Sequence, residues 1–326
     1  MPRSARRHGT ALTGLVLSIA APVLSACTAT GEDSSLGADT TDSPDSAAGA
    51  EGAGDPSIAP PSVASPSTAG AASAGGMAVA LPSAHVHGVA RNPADDRVYL
   101  ATHDGLFRYE AGGPVRVGPV IDLMGFTVAG PDRFYASGHP GPGTDLPQPV
   151  GLIESVDAGA TWAVRSRGGQ SDFHTLTAAG DGVLGFDGAL RQTADAEIWS
   201  VLQPPVAPFA VTASADGSDI VMTSRSGPFR ASDGGATWDT IDDAPLLQVV
   251  DWADTDTVVG VTPAGVVAVS DDAGATWTTR AETSDAPQAV GAYTGQDGGL
   301  EVLVVTGDAV MQSTDGAATF APLVVS

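Results

Sequence analysis

Five histidines follow the only cysteine of this 326-residue chain: His85, His87, His103, His139 and His174. His85 and His87 stand two apart in a stretch that reads as a strand, so both side chains point to one side. Asp122 and Met124 are spaced the same way, and so are Asp172 and His174. Imidazole and carboxylate are ligands for first-row metals, and a thioether favours copper. His85, His87, Met124 and His174 therefore form a candidate copper or zinc site, although the spacing follows no standard zinc motif. The five histidines together are equally a candidate site for a ligand held without metal. A third chemistry needs two carboxylates facing each other across a cleft, as in glycoside hydrolysis. Asp122, Asp172, Asp187 and Asp251 could supply the pair, with nothing in the sequence to single one pair out, and Asp122 with Asp172 is the alternative catalytic set.

These residues lie up to 89 positions apart in sequence, so only a repeating scaffold can gather them. Such a repeat is present. Ser155-Val156-Asp157-Ala158-Gly159-Ala160-Thr161-Trp162 recurs around Asp233, Gly235 and Trp238, and again around Asp272, Gly274 and Trp277. A worn copy surrounds Asp315 and ends at Phe320, and a shortened one, Arg191 to Trp199, has lost its glycine. The last box residue falls at Trp162, Trp199, Trp238, Trp277 and Phe320, at steps of 37, 39, 39 and 43 residues. Each box reads as a hairpin turn. The aspartate accepts backbone amides, the glycine supplies a left-handed backbone angle, and Thr-Trp starts the returning strand. Short apolar strands separated by Gly, Pro and Asp, with no helical periodicity, indicate an all-β domain. The period suits one four-stranded blade of a β-propeller. Six blades fit after residue 81, and a seventh is the alternative if the long second unit conceals one.

The boxes resemble the Asp-box (BNR) repeat of sialidase-like β-propellers and of photosystem assembly-factor propellers. That resemblance implies the fold, with Asp157, Gly159, Trp162, Asp233, Gly235, Trp238, Asp272, Gly274, Trp277 and Asp315 as structural residues. In a true sialidase it would also imply three arginines on the substrate carboxylate, a tyrosine nucleophile with a glutamate, and an aspartate acid/base. No arginine stands at the start of an inner strand here. Pro228-Phe229-Arg230 leads into a box, and Tyr293, the only tyrosine on an inner strand, has no glutamate close in sequence. The resemblance covers the boxes and not the catalytic set.

The amino terminus reads as a targeting signal. Arg3, Arg6 and Arg7 precede an apolar run, Ala11 to Val23, and Leu24-Ser25-Ala26-Cys27 resembles a bacterial lipobox. Residues 1–26 are expected to be a lipoprotein signal peptide, with lipid on Cys27. Arg6-Arg7 leaves the general and twin-arginine export routes both open. Residues 27–80 are Ala, Ser, Gly, Thr, Pro and Asp with few large apolar side chains, which reads as a disordered tether. A flexible coil of ~50 residues spans about 40 Å. The chain carries 14 arginines, no lysine and a net charge of −24, or −27 once the three signal arginines are removed. Binding to nucleic acid by phosphate neutralisation is excluded by that charge.

The expected protein is a monomeric lipoprotein exported to the outer face of a bacterial cell membrane, with the propeller in residues 81–326. Its expected role is to bind or assist assembly of a protein or glycan through a His-rich channel mouth. The alternative is a glycoside hydrolase using the carboxylates on that face.

Overall fold

The computed structural model describes residues 80–283 and 285–324. The expected signal peptide, Cys27 and nearly all of the expected tether lie outside the described residues. Every regular element described is a strand, and the 24 strands form six four-stranded antiparallel sheets. The first comprises β1 (Val86–Arg91), β2 (Val98–Thr102), β3 (Gly105–Glu110) and β4 (Gly113–Val117). The second comprises β5 (Ile121–Gly130), β6 (Arg133–Pro140), β7 (Leu152–Ser155) and β8 (Ala163–Ser166). The third comprises β9 (Thr175–Ala179), β10 (Gly182–Phe186), β11 (Leu190–Thr193) and β12 (Trp199–Val201). β13 (Val211–Ala213), β14 (Ile220–Met222), β15 (Phe229–Ala231) and β16 (Asp239–Thr240) make the fourth. β17 (Val249–Trp252), β18 (Val258–Val261), β19 (Val266–Ser270) and β20 (Thr278–Glu282) make the fifth. β21 (Ala289–Thr294), β22 (Leu300–Val305), β23 (Val310–Ser313) and β24 (Ala321–Pro322) make the sixth. The protein is a six-bladed β-propeller, and the long second unit conceals no seventh blade.

Alternation along the strands builds the ring. On β2, Val98 and Leu100 pack toward the sixth blade, while Tyr99 and Ala101 pack toward the second. On β22, Leu303 and Val305 face the first blade, and Val302 and Val304 face the fifth. Six hydrophobic clusters result, one in each gap between blades. Each fully buried aliphatic or aromatic side chain contributes about 1.5–3 kcal/mol by leaving water.

The boxes lock these gaps. Asp157 accepts the Thr161 amide at 2.8 Å and its hydroxyl at 2.6 Å, and Ser155 accepts the Gly159 amide at 2.8 Å. Asp233, Asp272 and Asp315 hold Thr237, Thr276 and Thr319 in the same way. In the shortened copy Asp195 accepts the Glu197 and Ile198 amides instead. Gly159 has φ 86°, and a Cβ there would meet the Leu106 Cδ2 at 2.2 Å. The box aromatics plug the gap to the preceding blade: Trp162 joins Leu106, and Trp277 joins Val221.

Every blade is made from consecutive strands, so no sheet is shared between the two ends of the ring. Closure rests on side chains. Gln288 accepts the Val86 amide at 2.7 Å and donates to the Ala84 carbonyl at 3.2 Å. Arg91 donates to the Tyr293 hydroxyl at 2.6 Å, lies 4.7 Å over its ring centroid, and reaches Glu301 at 3.6 Å. Burial pushes the Tyr293 hydroxyl up to about 12. Tyr293 does have a glutamate partner after all. Glu301 lies opposite it across β21 and β22 and accepts its hydroxyl at 2.9 Å, a pairing eight residues apart in sequence.

Similar latches join other inner strands. Thr127 accepts the Ala178 amide, Thr175 the Val211 amide, and Asp251 the Ala292 amide at 2.8 Å. Asp251 lines the channel, and burial raises its carboxyl from 3.8 to about 7 against the bonds from Ala292 and Trp252.

Two outcomes are expected. Gln288→Ala removes both closure bonds and lowers stability by about 1–3 kcal/mol, read as a lower urea midpoint. Asp251 takes up a proton on folding between its unfolded and native values, so its contribution to stability falls as pH rises from about 4 to 7 and stays low above that. Asp251→Asn keeps an acceptor and removes the titration. Calorimetry should give it a higher Tm than the parent at pH 8 and an equal one at about pH 3, below both values.

Candidate binding site at the channel mouth

The six inner strands, β1, β5, β9, β13, β17 and β21, surround a channel of about 1630 Å³. The candidate residues gather at one end of it, where the inner strands begin and the second strands end. The box hairpins lie at the other end.

His103 sits in a tight turn, where the Thr102 hydroxyl accepts the Asp104 amide at 3.0 Å and donates to the Gly105 carbonyl at 2.9 Å. His139 closes β6. The preceding Gly138 has φ 142°, and a Cβ there would lie 1.9 Å from the Asp122 carbonyl, so only glycine lets the two strands approach. Phe173 is fully buried and stacks on Trp199 with ring centroids 5.0 Å apart. Its amide donates to Ser137 at 2.9 Å. This anchor presents its two neighbours, Asp172 and His174, together. They precede β9 rather than lying on it.

The residues form a string across three blades. His87 Nε2 is 3.1 Å from His103 Nε2, and His103 Nδ1 is 2.7 Å from Asp122 Oδ1. His85 is exposed, with its ring 5.6 Å from that of His103. Asp122 pairs across the strands with His139, whose Nε2 lies 3.2 Å from Asp172 Oδ2. His174 Nε2 reaches the same oxygen at 2.9 Å, and Gln148 Nε2 reaches His139 Nδ1 at 3.0 Å. The Asp172 Oδ1 is buried and has no hydrogen-bond partner. Burial lowers the pKa of His87, and the neighbouring His103 lowers it further. A proton is shared in the close His87–His103 contact, so one ring must offer a lone pair.

One expectation needs correction. Bulges interrupt the register between Val86 and Gly88 and between Leu123 and Gly125. An extra residue at a bulge breaks the two-residue alternation. Asp122 accordingly turns to His103, while Met124 lines the channel and does not share its side. His87, at the matching bulge, lines the channel, although its ring still packs at 4.5 Å on that of His103. Among the described residues no three His, Cys, Asp or Glu side chains are arranged to hold one ion. His85 and His87 pack on His103, while His174 meets His139 at Asp172.

The carboxylate pair proposed for glycoside hydrolysis, Asp122 and Asp172, lies at this mouth, each carboxylate engaged by imidazole. Asp187 is committed to Ser171, Arg167 and Arg191. On the fourth blade's side Phe209 lines the channel and stands 62% exposed. Gln148 gives no signal in the sequence, because the fold of the 140–150 insert alone brings it back to His139.

No protein-family profile and no curated protein matches the chain. Solved structures do. A GH74 enzyme from Niastella koreensis is 15% identical, with a TM-score of 0.51 over 74% of this chain and 45% of that one. Virginiamycin B lyase from Staphylococcus aureus is 11% identical, with a TM-score of 0.50 over 74% and 86%. YCF48 from Cyanidioschyzon merolae is 13% identical, with a TM-score of 0.46 over 73% and 98%. This chain spans less than half the length of the GH74 enzyme. The likeness is one of fold: this chain is similar to propellers that serve different activities.

Proposed function

We propose that the chain is a binding or assembly-assisting module held at the outer face of a bacterial cell membrane by lipid on Cys27, with its ligand site at the His-rich mouth. One observation carries the reading: five histidines and two aspartates, distant in sequence, converge on a single mouth of an open channel. Polar groups at this hub otherwise hold a backbone amide of the next inner strand, yet these side chains bond to one another. A concave site with convergent polar groups is the default place for a ligand.

The test is a thermal-shift screen of the full chain against peptide and glycan libraries, repeated with His87→Ala and His174→Ala. The expected result is a Tm increase with one ligand class that both variants lose. If no library member raises the Tm, the module reading fails. Cys27→Ser should move the protein from the membrane fraction to the medium; unchanged membrane association would remove the lipid anchor. A glycosidase at the same mouth would require Asp122 and Asp172, so hydrolysis of aryl glycosides abolished by Asp122→Asn would favour that reading instead.

A further inference from the structure

The mouth has two unlike halves. On blades one to three it is polar, formed by the imidazole–carboxylate string. On blades four and five it carries exposed apolar side chains. Loop 202–209 leads into β13 at this end, brings Pro208 and Phe209 to the channel, and carries Val206 and Phe209, which stand 37% and 62% exposed. Loop 241–247 leads to β17 and carries Leu246, 50% exposed. The two loops are tied: the Phe209 amide donates to the Thr223 carbonyl, and the Thr223 hydroxyl donates to the Gln248 carbonyl at 2.9 Å. Phe209 is the aromatic among the large apolar side chains left exposed in the described residues. Exposed apolar surface rimmed by polar groups marks an interaction site.

Charge selects the partner. Asp122 and Asp172 meet no guanidinium among the described residues; their partners are His103, His139 and His174. The nearby Arg167 and Arg191 are bound to Asp187. Asp242 and Asp243 stand exposed beside Leu246. The chain has no lysine and a net charge of −24. An acidic partner would be repelled, whereas a cationic one would be steered in.

We infer that the mouth docks a segment of a partner polypeptide that combines apolar side chains with lysine or arginine. This rests on the binding-module reading above and names its ligand class. The apolar side chains lie on Val206, Phe209 and Leu246. The cationic groups meet Asp122 and the Asp172 side, and a guanidinium can also stack on the face of Phe209. The exposed Arg225, in the turn after β14 on the same face, opposes such a partner.

The experiment measures fluorescence anisotropy of labelled 12-residue peptides with the full chain. Three peptide sets share apolar residues and differ in carrying Arg/Lys, Asp/Glu or Ser/Gln. The expected order is tightest for the cationic set, at least about tenfold over the acidic set, with affinity falling as salt rises. Phe209→Ala and Asp122→Asn should each weaken the cationic set about tenfold, and Arg225→Glu should tighten it. Phe209 is exposed, so its replacement leaves the core intact; circular dichroism checks this for all three. Equal binding by the three sets, or unchanged affinity in Phe209→Ala, overturns the inference. Glycans that raise the Tm through His87 while no peptide binds would overturn it and leave the module reading standing. An absence of any ligand at the mouth defeats both.

Discussion

The inner strand of each blade has one edge without a strand partner, and that edge faces the channel. Its amides need acceptors, since an unpaired buried backbone group costs about as much as a lost hydrogen bond. Neighbouring blades supply them through side chains at chosen positions: Thr127, Thr175, Asp251 and Gln288 each accept an amide of the next inner strand. Most polarity around the hub has this origin. A channel threonine or glutamine therefore says little about ligands, and even the unusual carboxyl of Asp251 is a latch before it is anything else. Against that background the mouth residues stand apart. The side chains of His87, His103, Asp122, His139, Asp172 and His174 bond to one another and to Gln148, and none of these bonds holds an inner-strand amide.

The same logic governs closure. A blade shared between the two chain ends would seal the ring with backbone hydrogen bonds. Here the first and sixth blades meet through a hydrophobic cluster, through Gln288 at the mouth end and through Arg91, Tyr293 and Glu301 at the box end. The half-buried Arg91 guanidinium is held by Asp96, Glu301 and Tyr293 and by the face of the Tyr293 ring. This commits Arg91 and Tyr293 to architecture, although an arginine, a tyrosine and a glutamate in a propeller channel would otherwise suggest catalysis.

Much of the fold was legible because it is periodic. Repeated Asp-x-Gly-x-Thr-Trp fixes hairpins, their spacing fixes blades, and alternation in runs such as Val302 to Val305 fixes two packed faces. Convergence of the histidines followed from the same count. Finer geometry was not legible, because it depends on single-residue irregularities. The bulges at His87 and Met124 shift register by one, and the glycines that follow them, Gly88 and Gly125, do not stand out in a chain with 41 glycines. The alignment thus paired Met124 with Asp122, while the backbone separates them. Long-range partners were hidden for another reason: Glu301 meets Tyr293 only through strand pairing, and Gln148 meets His139 only through the course of the insert.

The bulges also explain why the polar string occupies one sector of the mouth. In β1 and β5 each extra residue turns its side chain into the channel, and the neighbouring His85 and Asp122 rotate toward His103 between the two blades. The third blade joins by a different device, the buried Phe173 that exposes Asp172 and His174 on either side. Blades four and five have neither device at the mouth. Their inner strands are shorter, three and four residues, and the loops leading into them, 202–209 and 241–247, carry proline and the exposed Val206, Phe209 and Leu246. Strand irregularity on one side and strand shortening on the other thus generate a mouth with a hydrogen-bonding half and a greasy half from a scaffold built of near-identical repeats.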